Sequence, residues 1–293
     1  MFERILLPVD FSEHSLAAFG HGALLASAFG GRLELVHVVE HVLHTHPPFW
    51  AGEPALADEL HRQALVSAER ALKKLLPKLP KDAPAALETR VLSGSLPGAL
   101  VDYATESKAD LIVVSTHGRT GFARWLMGSV SERVLRAAHC PVLVARGGSG
   151  QVRPKLGRVL VAVDLSDHSR RALHVAGELA SKFGAALEVL YVWAAPFYAE
   201  AGPPAGLFER IRQSARAELD EFIASAALPV GLVLEETIVS GTPSAKISER
   251  LEERTPDLLV LGTHGHGGVK RMVLGSVAEA TARYAACATL VVP

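Results

Sequence analysis

Along this chain, short runs of apolar residues alternate with longer stretches in which apolar positions recur every three to four residues. Period-two and unbroken apolar runs predict strands, the longer amphipathic stretches predict helices, and their alternation predicts βαβ units on a parallel sheet. In the first half the pattern predicts strands near 4–9, 32–39, 87–92, 111–115 and 142–145. Helices are expected over roughly 15–29, 58–76, 96–107 and 129–138. The second half predicts strands near 158–163, 186–192, 232–239, 258–262 and 289–292. Ser12 and Ser166 stand where helix caps are needed, and Gly30 and Gly184 stand where a left-handed residue ends a helix.

The same pattern is written twice. RILLPVDFSEHS at Arg4–Ser15 returns as RVLVAVDLSDHS at Arg158–Ser169, an offset of 154. VLSGSLPG from Val91 returns as IVSGTPSA from Ile238, and STHGRTG from Ser115 returns as GTHGHGG from Gly262, both at 147. The seven-residue difference falls between the first and third apolar runs, with the extra loop material around His41 to Asp58. Each half therefore reads as a doubly wound α/β domain with a five-stranded parallel sheet: residues 1–146, a Gly-, Pro- and Arg-containing linker at 147–156, and residues 157–293. Such sheets bind ligands beyond the carboxyl ends of their strands, where chain order reverses.

Composition changes this picture little. The chain has 293 residues, enough for two cores. Apolar residues make up 49%, charged residues 21%, and the net charge is −1, giving no reason to expect a nucleic-acid or membrane-surface partner. No apolar run is long enough to span a bilayer. Two cysteines, Cys140 and Cys287, without a Cys-x-x-Cys motif, do not make a disulfide framework, and the cytoplasm is the expected compartment.

Candidate chemistry gathers at the strand ends. The first strand of each half ends in an acid, Asp10 in PVDFS and Asp164 in AVDLS, read either as a turn or cap residue or as a carboxylate for a ribose or base. After the fourth strand of the second half comes LLVLGTHGHGGVKRMVLGSV, with the spacing Gly262-x2-Gly265-x9-Gly275-Ser276. Glycines admit an anion close to the backbone, and a helix start offers unpaired N–H donors. The first-half copy is LIVVSTHGRTGFARWLMGSV, with Ser115 at the first glycine position.

These openings, together with the segments ending GSVSERVL and GSVAEATA, resemble the universal stress protein family in its tandem form, over nearly the whole chain. The resemblance implies ATP binding, with Mg²⁺ carried by the phosphates, through the pattern G-x2-G-x9-G-[ST]. Carried onto this chain, it nominates Val163, Asp164 and Val192 for adenine and ribose, and Gly262, Gly265, Gly275, Ser276 and Val277 for ribose and phosphates. In the first half it nominates Pro8, Val9, Asp10 and Val38, then Ser115, Gly118, Gly128, Ser129, Val130 and Ser131.

Neither half fits completely. If the Ser115 position needs a left-handed backbone, serine there costs on the order of 1 to 2 kcal/mol. Ala278 replaces Ser131 and removes a phosphate contact worth roughly 1 kcal/mol. Both halves are expected to bind ATP, the second modestly better.

Other signals are weaker. Arg119, Arg124, Lys270 and Arg271 lie between the glycines and read as loop charges or phosphate contacts. His117 and His264 either orient the loop or meet a phosphate. His37, His41, His44 and His46 form a loose cluster whose spacing argues against zinc. Gly262 and Gly267 imitate a P-loop, but Gly268 stands where lysine is required. Nothing nominates a general base, so any ATP hydrolysis should be slow. The expected role is a nucleotide-dependent stress-response switch; an interaction scaffold with degenerate pockets and a slow ATPase are the alternatives. The resemblance also implies pairing of the two halves through their last strands, with a homodimer and an unidentified protein partner as further partners.

Overall fold

The computed structural model describes residues 1–40, 54–79, 84, 86–116, 127–146, 154–193, 207–265 and 274–293. The chain divides into two units, Met1–Pro154 and Lys155–Pro293.

In the first unit, β1 (Arg4–Pro8), β2 (Arg32–Val39), β3 (Leu87–Ser93), β4 (Leu111–Ser115) and β5 (Val142–Ala145) pair in parallel in the order β3-β2-β1-β4-β5. Its described helices are α1 (Glu13–Ala17), α2 (Phe19–Phe29), α3 (Pro54–Leu75), α4 (Gly98–Glu106) and α5 (Ser129–Ala137). In the second unit, β6 (Arg158–Val163), β7 (Ala186–Trp193), β8 (Leu234–Ser240), β9 (Leu258–Gly262) and β10 (Ala288–Val292) repeat the order as β8-β7-β6-β9-β10. Here α6 (Asp167–Phe183), α7 (Leu207–Ser225), α8 (Pro243–Arg254) and α9 (Ser276–Tyr284) are described.

The central strands read as unbroken apolar runs because both faces are covered. Ile5, Leu6, Leu7, Ile112, Val113, Leu160, Val161, Leu259 and Val260 are all fully buried. Helices α6 and α7 touch each other, as do α8 and α9. Right-handed crossovers put the two pairs on opposite faces of the sheet. Chain order reverses between β1 and β4, and again between β6 and β9, so each unit has a crevice beyond those strand ends.

Two elements differ from the sequence expectation. The single first helix is interrupted at Ala18, whereas its counterpart α6 runs unbroken for 17 residues. Gly20 and Gly22 follow the break, and glycine in a helix interior costs roughly 0.5 to 1 kcal/mol relative to alanine. Gly22 is kept by packing: a Cβ there would lie 3.0 Å from Leu33 Cδ1. The second difference is α3, which begins at Pro54 rather than Asp58, proline being well suited to a first helical turn. Part of the extra length of the first half is therefore helix.

A pair of buried acids was not foreseen. Glu34 in β2 and Glu188 in β7 occupy equivalent positions and are 1% and 3% exposed. Glu34 Oε1 accepts from Arg90 Nε of β3 at 3.3 Å and from Tyr103 Oη of α4 at 2.7 Å. Glu188 Oε1 accepts from Thr237 Oγ1 of β8 at 2.9 Å and from Arg250 Nε of α8 at 2.5 Å. The carboxylate is repeated, while its cation has moved from the strand to the helix.

Candidate functional site

The same turn follows the first strand of each unit. Asp10 Oδ1 accepts from Ser12 N at 3.0 Å and Ser12 Oγ at 2.5 Å, and Ser12 Oγ accepts from Ser15 N at 3.2 Å. Asp164 Oδ1 accepts from Ser166 N at 3.1 Å and Ser166 Oγ at 2.6 Å, and Ser166 Oγ accepts from Ser169 N at 3.3 Å. The intervening residues, Phe11 and Leu165, sit at φ 63° and 67°. A left-handed backbone costs a non-glycine residue on the order of 1 to 2 kcal/mol, which the ring of hydrogen bonds offsets in both copies. One oxygen of each aspartate thus caps a turn. The turn reading of Asp10 and Asp164 is correct, and it leaves room for the other.

In the second unit, Asp164 Oδ2 faces the backbone of Gly265, so closely that a Cβ at Gly265 would overlap the carboxylate. Gly275 is the N-cap of α9 and offers no side-chain cap. Its N–H goes to Thr263 O at 2.8 Å, and a Cβ on Gly275 would lie 3.0 Å from that same oxygen. The first-turn N–H groups of α9 consequently have no capping side chain, the arrangement that attracts an anion.

These parts enclose a cavity of about 600 Å³, within the usual range for small-molecule sites. Val163, Asp164, Val192, Gly262, Gly265, Gly275, Ser276 and Val277 all line it. Every second-half residue nominated from the sequence is therefore brought to one place. Pro243 and Ile247 at the start of α8 form an apolar wall that the sequence reading missed. The repeated VLSGSLPG and IVSGTPSA segments were the available signal, since they place a turn and a helix start after β8. Thr263, His264 and Glu279 also line the cavity; Glu279 pairs with Arg283 at 3.4 Å.

Glycine at 262 has a different cause from the one expected. Gly262 is not among the residues with positive φ. A Cβ there would lie 2.9 Å from His168 C and 3.1 Å from His168 O, so the demand is closeness to α6 rather than a left-handed backbone. The supposed conformational penalty at Ser115 therefore does not apply. Ser131 also has a structural part. It is buried, and its hydroxyl donates to Ser115 O at 2.7 Å, tying α5 to the end of β4. Ala278 in the second unit lacks that tie.

Of the remaining first-half nominees, Pro8 ends β1 and Val9 N–H continues the pairing to Val36 O at 2.8 Å. Val38 lies on β2, Gly128 caps α5, and Ser129 and Val130 begin it. Gly118 lies outside the described residues, as do His117, Arg119, Arg124, Lys270 and Arg271. Of the histidine cluster only His37 is described. Its Nδ1 donates to Val9 O at 2.7 Å, and its ring packs on Phe11 with centroids 4.7 Å apart. Cys140 and Cys287 form no disulfide and are half-buried; burial pushes the Cys140 thiol up to about 11, leaving it protonated.

Two doubly wound α/β units, each with an acid after its first strand and a glycine at the helix start after its fourth, define a class of repeated α/β protein with a crevice at the strand ends of each unit. The profile of the universal stress protein family matches residues 1–146 and again 155–293. The chain belongs to the universal stress protein family and carries its domain twice. A universal stress protein of Mycobacterium tuberculosis is 30% identical over 284 residues, covering 94% of this chain and 92% of its own. One from Methanocaldococcus jannaschii is 36% identical over 151 residues, covering 50% of this chain and 83% of its own. The crystal structure of a putative universal stress protein from Pseudomonas aeruginosa shares the fold at TM-score 0.67 and 19% identity, covering 99% of this chain and 93% of that one. One from Archaeoglobus fulgidus does so at TM-score 0.62 and 24% identity, with 98% and 95% covered.

Proposed function

We propose that the second unit binds an adenine nucleotide, ATP with Mg²⁺ carried on its phosphates, and that the chain acts as a nucleotide-dependent switch rather than a rapid catalyst. The observation that carries the proposal is the convergence on one cavity of an aspartate, an apolar wall and a helix start without a side-chain cap. Val163, Val192, Pro243 and Ile247 offer apolar surface to a base. The Asp164 carboxylate can accept from ribose hydroxyls. Gly275 leaves the start of α9 without a side chain, and phosphates there would meet backbone donors. Adenine in particular is what the family resemblance adds. The first unit repeats the turn and the helix start and is proposed as a second site.

Thermal unfolding of the full chain with ATP–Mg²⁺, AMP and adenosine tests this. Ligand at one hundred times Kd stabilises by about 2.7 kcal/mol, a clear upward shift in melting temperature. A flat melting temperature with all three ligands, together with no heat on titration, would refute nucleotide binding.

A further inference from the structure

Two histidines meet at the edge of this cavity from positions 96 residues apart. His168 is the second residue of α6, and His264 follows β9. Their ring centroids are 5.0 Å apart. The two rings share one hydroxyl: Thr263 Oγ1 lies 3.0 Å from His264 Nδ1 and 3.4 Å from His168 Nδ1.

The surrounding donors fix part of the protonation. Arg171 Nη2 lies 2.8 Å from His168 Nδ1. A guanidinium only donates, so Nδ1 must accept, and His168 is neutral with its proton on Nε2. Arg171 is itself anchored, its Nε donating to Pro293 O at 2.7 Å. His264 Nε2 is buried and has no hydrogen-bond partner among the described residues, although His264 lines the cavity. A buried ring nitrogen left this way is costly, and an arriving ligand oxygen would recover the cost.

Resting on the nucleotide reading above, we propose that the His168–His264 pair is a proton-accepting partner of the nucleotide phosphates, so that the site takes up a proton as an anionic nucleotide binds. In the ligand-free site His168 is held neutral by the guanidinium that donates to it. Burial pulls His168 below its ordinary value, and the charge of Arg171 and the neighbouring His264 add to that. Asp164 and Asp167 act in the opposite sense. Asp167 is offset by Arg170 at 3.1 Å, and Glu279 across the cavity by Arg283. A phosphate beside the rings adds negative charge that none of these groups cancels, and it raises the affinity of the pair for a proton.

The sign follows from linkage. The bound state holds its proton to higher pH than the free state, so binding tightens as pH falls through the bound-state value. The gain is complete once pH is below the free-state value. The steepest dependence is about tenfold in affinity per pH unit for one proton taken up.

The test is calorimetric titration of the full chain with ATP–Mg²⁺ at pH 7 in buffers of different ionisation enthalpy, with adenosine in parallel. Observed heats that depend on the buffer for ATP, indicating net proton uptake, and not for adenosine, are expected. His168→Gln with His264→Gln should lower that uptake while adenosine still binds, which also shows that the variant is folded. ATP binding with buffer-independent heats in the unaltered chain overturns the inference and leaves the nucleotide reading standing. Uptake undiminished in the double variant overturns it too. No heat from ATP in any buffer removes the nucleotide reading, and the inference falls with it.

Discussion

Gly262→Ala adds one carbon at the end of β9 and tests how the site is held. That carbon would lie 2.9 Å from His168 C, 3.1 Å from His168 O and 3.1 Å from Ser169 N. Ordinary carbon–carbon contact is about 3.5 to 4.0 Å, so the shortfall exceeds roughly half an ångström. All three neighbours are backbone atoms in the first turn of α6, and no side chain can swing aside. Either the end of β9 or the start of α6 must move, and overpacking of this kind costs about 1 to 3 kcal/mol. The start of α6 is tied through Ser166 to Asp164 Oδ1. The displacement therefore reaches the cavity, and nucleotide affinity should fall about tenfold or more, each tenfold being about 1.4 kcal/mol. Hydrogen exchange read on peptides covering β6 and β9 along a urea series gives the stability of the second unit, and calorimetry gives the affinity. Unchanged exchange protection together with unchanged affinity would refute the steric account. Ser115→Gly in the first unit is the reciprocal control and should leave the second site untouched.

Arg250→Ala leaves the Glu188 carboxylate buried without its main cation, at about 3 kcal/mol or more. Arg90→Ala, which removes a cation 53% exposed from Glu34, should cost less, and urea unfolding that ranks the two variants the other way would count against the buried-charge argument. Asp164→Ala should abolish the ATP-induced melting shift of the second site and lower its stability by about 1 to 3 kcal/mol through loss of the turn. Asp10→Ala should produce a similar stability loss and leave the second site's calorimetric signal intact. His21 is buried in α2, and desolvation lowers it to about 4. The unfolded chain therefore binds a proton that the folded one refuses between the ordinary histidine value and about 4, so stability should drop as pH falls through that window. His21→Leu should flatten this part of a pH–stability profile, and an unaltered slope would show that other groups cause it.

Much of the architecture was legible because the central strands are buried on both faces and so appear as uninterrupted apolar runs, LLVL and LIVV among them. The strand-end motifs were legible because parallel sheets of this topology collect them at one crevice. Four things were not. The break after Ala17 is followed by two glycines whose individual cost in a helix is small, so the pattern alone does not announce it. The wall from α8 was signalled by the repeated segment after β8 only as a turn and a helix start, and neither periodicity nor spacing reports that Pro243 and Ile247 reach the cavity. The approach of His168 to His264 exists only after α6 and the end of β9 have packed. Glu34 and Glu188 were hidden for the opposite reason, since a lone charge inside an apolar run gives no sign that an arginine elsewhere will meet it.

That repeated acid has a consequence for a chain that carries the same domain twice. If α4 and α8 exchanged places during folding, the pocket around Glu34 would hold both Arg90 and Arg250 against one carboxylate. Glu188 would be left with Thr237, Tyr103 and no cation from its own strand or helix. The second error buries a carboxylate with no cation, and the first crowds two arginines around one carboxylate; correct assembly does neither. Moving one arginine from strand to helix thus gives each half a private lock, and two nearly interchangeable sequences can fold side by side without borrowing each other's parts.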